Sequence, residues 1–214
     1  MPPERGPLSV ISPLDGRYED VTEPLVPYAS EAGLMRERVR VEVEYIIALS
    51  DTEPVSLSLD EEAKDTLRAL YKDFDDADAK LIKAIEREGA RGYPATNHDV
   101  KAIEYFIREA SPENVHPWIH FGLTSEDVTN LSYRLLVRGA VTEVLLPDLS
   151  ALADELTSMA HGYADIPMLG RTHGQPATPT TFGKELAVFA ARLRTGIADA
   201  RSAVDSLAGK LGGA

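Results

Sequence analysis

PTTFGKELAVFAARLRTGIADARSAVDSL, residues 179–207, is the stretch that decides the fold. Phe182, Leu186, Phe189, Leu193, Ile197, Ala200, Val204 and Leu207 recur at steps of three or four, the period of one helix face. Pro179 reads as the opening residue, because proline is tolerated in a helix's first turn. About 26 residues at 1.5 Å each make roughly 40 Å of helix. An apolar stripe of that length needs partners along its whole face.

Working back from it, the rest of the chain supplies two further long helices. One starts near Pro147 and carries Leu149, Leu152, Leu156 and Met159. The other starts at a capping-box pair, Thr124 and Asp127, and runs through Val128, Leu131 and Leu135 as far as Val144. Shorter helices precede them. Residues 30–50 carry Leu34, Val39, Val43, Ile46 and Ile47 with Arg and Glu between, which predicts a half-buried helix. Ser58 and Glu61 read as a second capping box, ahead of Leu59, Ala63, Leu67 and Leu70. Leu81, Ile82 and Ile85 mark a helix over Ala77–Glu88, and GARGYPAT, residues 89–96, reads as a loop. A helix then starts near Asn97 with Val100, Ile103, Phe106 and Ile107 inward, and Asp165–Pro176 reads as irregular. The fold class is all-α. A helical N-terminal domain, residues 1–117, precedes residues 118–214, the first long helices of an incomplete central bundle.

Composition narrows the function. The chain has 214 residues, 43% hydrophobic and 27% charged, an ordinary globular balance. No apolar run is long enough to span a membrane. MPPERGPLSV lacks the apolar core of a secretory signal, so a cytoplasmic location is expected. The absence of cysteine excludes disulfides, zinc–thiolate sites, iron–sulfur clusters and cysteine nucleophiles. The net charge is −13, and no basic footprint for nucleic acid is present. Only 7 of the 22 basic residues are lysine. That fits a high-salt cytoplasm as well as an ordinary one.

Four polar segments depart from the packing pattern. Asp15-Gly16-Arg17-Tyr18 lies in a loop, where an Arg beside a Tyr suits a phosphate and a base, and equally a surface turn. In Thr96-Asn97-His98-Asp99-Val100-Lys101, Asn97 reads as a helix cap. His98 and Lys101 then sit at the helix N-terminus, which attracts anions. His120-Phe121-Gly122-Leu123-Thr124-Ser125-Glu126-Asp127 offers hydroxyls at a helix start, suited to a carboxylate. His116 and His120 have metal-ligand spacing, but no third ligand is apparent and Pro117 intervenes, so no metal is expected. Gly170-Arg171-Thr172-His173-Gly174-Gln175-Pro176-Ala177-Thr178 is the strongest. It places a histidine in a rigid Gly/Pro loop, well suited to proton transfer.

Together S-P-L-D-G-R-Y, T-N-H-D-V-K-A-I-E-Y-F, I-H-F-G-L-T-S-E-D-V-T-N-L and R-T-H-G-Q-P-A-T-P resemble the adenylosuccinate lyases of the fumarase/aspartase superfamily, in the same order and over essentially the whole chain. The resemblance implies three-domain helical subunits whose long helices form a shared bundle in a homotetramer. It implies β-elimination of fumarate from adenylosuccinate, giving AMP, and from SAICAR, giving AICAR, in purine biosynthesis with no metal or organic cofactor. It implies His173 as general acid and His98 as a group that holds and polarises the substrate. Arg17 and Tyr18 would contact the nucleotide. Asn97 and Asp99 would bond polar substrate groups. Thr124 and Ser125 would hold the succinyl part, with Lys101 and Thr172 in support. An anionic substrate on a chain of net charge −13 requires local positive potential, for which Arg17, Lys101 and Arg171 are the candidates.

The resemblance also implies a mobile S-S-x-M-P-x-K-x-N loop whose serine is the base, and no such segment occurs in these 214 residues. GARGYPA is also longer than the family pattern. Little activity is therefore expected of this chain alone. The alternative is a non-catalytic assembly or regulatory half-protein that retains a nucleotide site.

Overall fold

The computed structural model describes residues 8–212. Residues 1–7, part of the stretch read above for a secretory signal, and Gly213-Ala214 lie outside them. The described residues divide into two packed units, one from Met1–Val137 with Ala208–Ala214, the other from Arg138–Leu207.

The first unit contains seven helices among its described residues: α1 (Glu19–Thr22), α2 (Val26–Ala29), α3 (Glu31–Ser50), α4 (Glu61–Lys72), α5 (Asp76–Arg87), α6 (Asp99–Glu109) and α7 (Ser125–Gly139). Its core is built on α3. Val39, Val43 and Ile46 are fully buried against Leu67 of α4, Ile82 and Ile85 of α5, and Ile103, Phe106 and Ile107 of α6. The caps explain where the helices begin. The Ser30 hydroxyl accepts the Gly33 N–H at 3.0 Å to start α3. Asp60, rather than the expected Ser58, caps α4 by accepting the Ala63 N–H at 2.8 Å. Carboxylate oxygens are strong caps, and Asp60 lies next to the first helical residue. Asp75 and Asp78 form a reciprocal capping box on α5.

The helix over residues 30–50 is more buried than its charge pattern suggests: Glu37, Arg38 and Glu42 are buried with the apolar residues. Along α7, the buried Asp127 and Asn130 hold the chain's later segment. Asp127 Oδ1 accepts the Gly212 N–H at 2.8 Å. The Asn130 side-chain amide exchanges bonds of 2.6 and 3.0 Å with the Lys210 backbone.

In the second unit a π-helical turn, Ala140–Leu145, leads directly into α8 (Leu146–Gly162). Pro147 offers no N–H to the Glu143 carbonyl and its ring crowds that group, and a widened turn just before it relieves both. A hairpin follows, β1 (Pro167–Thr172) and β2 (Gln175–Thr181), then α9 (Phe182–Asp205). The segment read as irregular is therefore an antiparallel ribbon. The last helix begins at Phe182 rather than Pro179. Pro179 pairs with Leu169 in the ribbon. A two-stranded ribbon leaves outward backbone positions unpaired, so it tolerates proline. Thr181 caps α9, its hydroxyl accepting the Lys184 N–H at 3.2 Å. α9 packs on α8 at Gly183, where an added Cβ would run into the Ala160 carbonyl and the Ala164 backbone. The architecture is helical, with this one hairpin among the described residues.

Candidate functional site

Three of the four polar segments lie in the first unit. At the start of α6 the expected cap, Asn97, is displaced by His98. Asn97 takes a left-handed φ of +48°, which Asn tolerates better than most residues, and its N–H donates to the Glu86 carbonyl at 2.9 Å. That turn leaves His98 extended as the cap. Its Nδ1 accepts the Lys101 N–H at 3.2 Å, which leaves Nε2 to carry the ring proton. Thr96 fixes His98 from behind, accepting its N–H and donating to its carbonyl.

Asp99 Oδ1 accepts its neighbour's N–H at 2.9 Å, and Oδ2 meets Arg38 at 2.8 Å. Burial, the largest single effect, would raise the Asp99 carboxyl, but the Arg38 guanidinium and the Val100 N–H together outweigh it and hold the group below its usual range. Lys101 pairs with Glu104 at 2.5 Å and lies 5.3 Å over the Tyr105 ring, which itself stacks on Tyr93 at 4.1 Å. Two N–H groups of the first turn are thus already satisfied, and the Lys101 charge is compensated. The helix end is less of an open anion site than its sequence suggests. Its exposed donor is the His98 ring.

The third segment is held against α3. His120 has a left-handed φ of +58°. Its N–H donates to Glu42 Oε2 at 3.1 Å, and its Nδ1 lies 2.5 Å from Glu42 Oε1. The Tyr45 hydroxyl donates to the Phe121 carbonyl at 3.0 Å. The Glu42 carboxylate raises the His120 imidazole above its ordinary value, against the opposing effect of burial. Thr124 donates both its N–H and its hydroxyl to Asp127 Oδ2, at 2.8 and 2.9 Å. Its hydroxyl proton is therefore engaged within the cap, and Ser125 is the hydroxyl at this turn with no side-chain bond among the described residues. His116 bonds the Ser111 carbonyl and His120 bonds Glu42, so the two do not act as a ligand pair. No metal-binding cluster occurs among the described residues.

Arg38 ties two of these segments together. It is 7% exposed and reaches Asp99 at the start of α6 and the Thr129 hydroxyl of α7, at 2.8 and 3.1 Å. Arg38, Glu42 and His120 are the residues whose structural part the sequence reading missed. The signal was present: Met35, Val39, Glu42 and Ile46 follow each other at steps of three and four, so Glu42 falls on the apolar stripe itself. Arg17 and Tyr18 lie apart from this cluster on an exposed turn, with the guanidinium 5.6 Å over the ring.

The fourth segment is in the second unit. Thr172 and Gln175 close the hairpin, with His173 and Gly174 as its two-residue tip. Their φ angles are +51° and +72°, the pair of positive values that a type I′ turn requires. His173 and Thr172 are exposed, and the ring of His173 has no hydrogen-bond partner among the described residues.

The family described as Lyase matches residues 16–214. The chain is 42% identical to an adenylosuccinate lyase of Haemophilus influenzae over 97% of its own length and 45% of the relative's. It is 44% identical to that of Dictyostelium discoideum over 89% and 41%, and 43% identical to that of Escherichia coli over 89% and 42%. It thus spans rather less than half the length of these relatives. Among solved structures it resembles a fumarate lyase of Mesorhizobium sp. BNC1, at a TM-score of 0.65 with 22% identity, over 92% of this chain and 42% of that one. It also resembles β-carboxy-cis,cis-muconate cycloisomerase of Acinetobacter calcoaceticus sp. ADP1, at 0.64 with 26% identity, over 92% and 43%.

Proposed function

Because the chain belongs to the Lyase family, we propose that it carries the acid side of an adenylosuccinate lyase active site. The observation that carries this reading is His173. A solvent-facing imidazole with no hydrogen-bond partner among the described residues stands at the tip of a hairpin, at a φ of +51° that few residues other than glycine adopt. The substrates are adenylosuccinate and SAICAR. A base removes the proton beside a carboxylate, the C–N bond breaks, and its electrons leave with the nitrogen. The C–H electrons form the double bond of fumarate, and His173 delivers a proton to the departing nitrogen. AMP or AICAR is the other product.

His98 donates from Nε2 to polarise the substrate. Ser125, with Thr124 once its hydroxyl turns from Asp127, holds the succinyl carboxylate. Asn97 and Asp99 bond polar groups, Arg17 and Tyr18 take the nucleotide, and Lys101 and Thr172 support them. In this reading residues 1–117 act as the N-terminal domain and 118–214 as part of a central bundle. The active form is a cytoplasmic homotetramer without cofactor. The serine base lies outside these 214 residues, so this chain alone turns over little. Replacing His173 by Ala in an active form should leave assembly intact and remove most fumarate release, followed by ultraviolet absorbance. Undiminished turnover would refute the acid assignment. A non-catalytic nucleotide-binding role predicts that AMP binding is retained and no active form is found.

A further inference from the structure

Glu42 and His120 form a pair to which the reaction above assigns no part. Glu42 is completely buried in α3. A buried carboxylate is costly unless it is paired and fully hydrogen-bonded. Here both oxygens serve one residue: Oε1 faces the His120 ring at Nδ1 and Oε2 accepts its backbone N–H. Gripping ring and backbone together fixes the side chain and sustains the left-handed turn at His120. Tyr45 pins the next carbonyl. With Nδ1 engaged, the remaining donor is Nε2–H. It has no hydrogen-bond partner among the described residues, and it is not one of the buried unsatisfied atoms, so it reaches solvent. The titratable groups facing the ring are Glu42 from α3 and Glu104 and Lys101 from α6.

Resting on the lyase reading, we propose that Glu42 is a positioning residue that, by holding the ring and backbone of His120 together, presents its Nε2–H to a carboxylate of the bound substrate. The Glu42 carboxylate also favours the charged form of the ring. A second carboxylate donor beside Ser125 also answers the problem of a dianionic succinyl group approaching a strongly acidic chain. An oriented donor whose charged form is favoured by its partner carboxylate supplies local positive potential without adding net charge to the pair.

The test is histidine ¹⁵N NMR of the 214-residue chain, titrated with pH and with fumarate, for the native protein, Glu42→Gln and Glu42→Asp. The native His120 midpoint is expected above 6.5, the ordinary imidazole value. Glu42→Gln lowers it, and Glu42→Asp, which keeps the charge, restores part of it. Fumarate shifts the His120 and His98 signals of the native chain. In Glu42→Gln the His98 response is kept and the His120 response is lost. A native midpoint at or below 6.5 overturns the proposal whether or not the variants fold. So does a folded Glu42→Gln with an unchanged midpoint. Fumarate moving His98 but not His120 overturns it and leaves the lyase reading standing. Fumarate moving neither also overturns the proposal, while the lyase reading stands or falls on His173→Ala in an active form.

Discussion

As the cap of α6, His98 accepts the Lys101 N–H through Nδ1, and that bond commits its ring to one tautomer. The structural and chemical parts of the residue can therefore be separated by substitution. His98→Ala removes the cap and should lower stability by about 1 kcal/mol, read as a shift in the urea midpoint. His98→Asn supplies a better capping side chain, so the midpoint should stay at or above the native one while the Nε2–H is lost. If Asn destabilised as much as Ala, the capping account would be wrong. Asp99 carries a pH signature. Its carboxyl is held below its unfolded value, so its stabilising contribution is complete above about pH 4 and disappears as pH falls through the lowered folded value. Asp99→Asn should lower the urea midpoint at neutral pH and flatten the acid side of its profile, because the contribution it removes is already gone in acid. The contribution is modest, because the side chain is half exposed.

At the scale of elements, the hairpin is where function and backbone disagree. A type I′ tip prefers Asn-Gly, yet the tip is His173-Gly174. His173→Asn should leave thermal stability unchanged or raise it by up to about 1 kcal/mol, while ending proton transfer in an active form. Gly174→Ala should destabilise by about 1 kcal/mol, since φ is +72°. A His173→Asn variant that melted lower would show that the histidine has a structural partner. This element also shows what the sequence conceals. Helices α3 to α7 were legible because their apolar residues repeat at helical spacing over ten or more positions, whereas α1 and α2, four residues each, are too short to show a period. β1 and β2 bury almost nothing. With no face to bury, they leave little alternation to read, and three prolines, Pro167, Pro176 and Pro179, argue against strands. His173 was legible as chemistry all the same, because no packing pattern claimed it. Arg38 and Glu42 were hidden for the opposite reason: they sit on a helix face whose apolar stripe was easy to see, among charges that read as solvent-facing. The Asn97 cap failed because a left-handed turn at that residue passes the role one position on.

Across the whole molecule, the unanswered surface is on α9. The helix has 24 residues, about 36 Å, but its buried positions are only Gly183, Ala190 and Val204. Phe189 is 58% exposed, and Leu152 on α8 is 51% exposed. The long stripe that decided the fold is thus only partly covered by α8. Large apolar residues left open in this way drive association. We expect the purified chain to self-associate at micromolar concentration in sedimentation velocity, and Leu152→Glu with Phe189→Glu to shift it toward monomer. Two forces then compete, because a net charge of −13 makes copies repel. At 0.1 M salt the repulsion is screened beyond about 10 Å, whereas apolar burial is not weakened. Association through the stripe must therefore strengthen as salt rises from about 0.01 to 0.5 M. An interface held by ion pairs would weaken over the same range. A chain that stays monomeric throughout would show that the stripe is covered in solution by something other than a second copy.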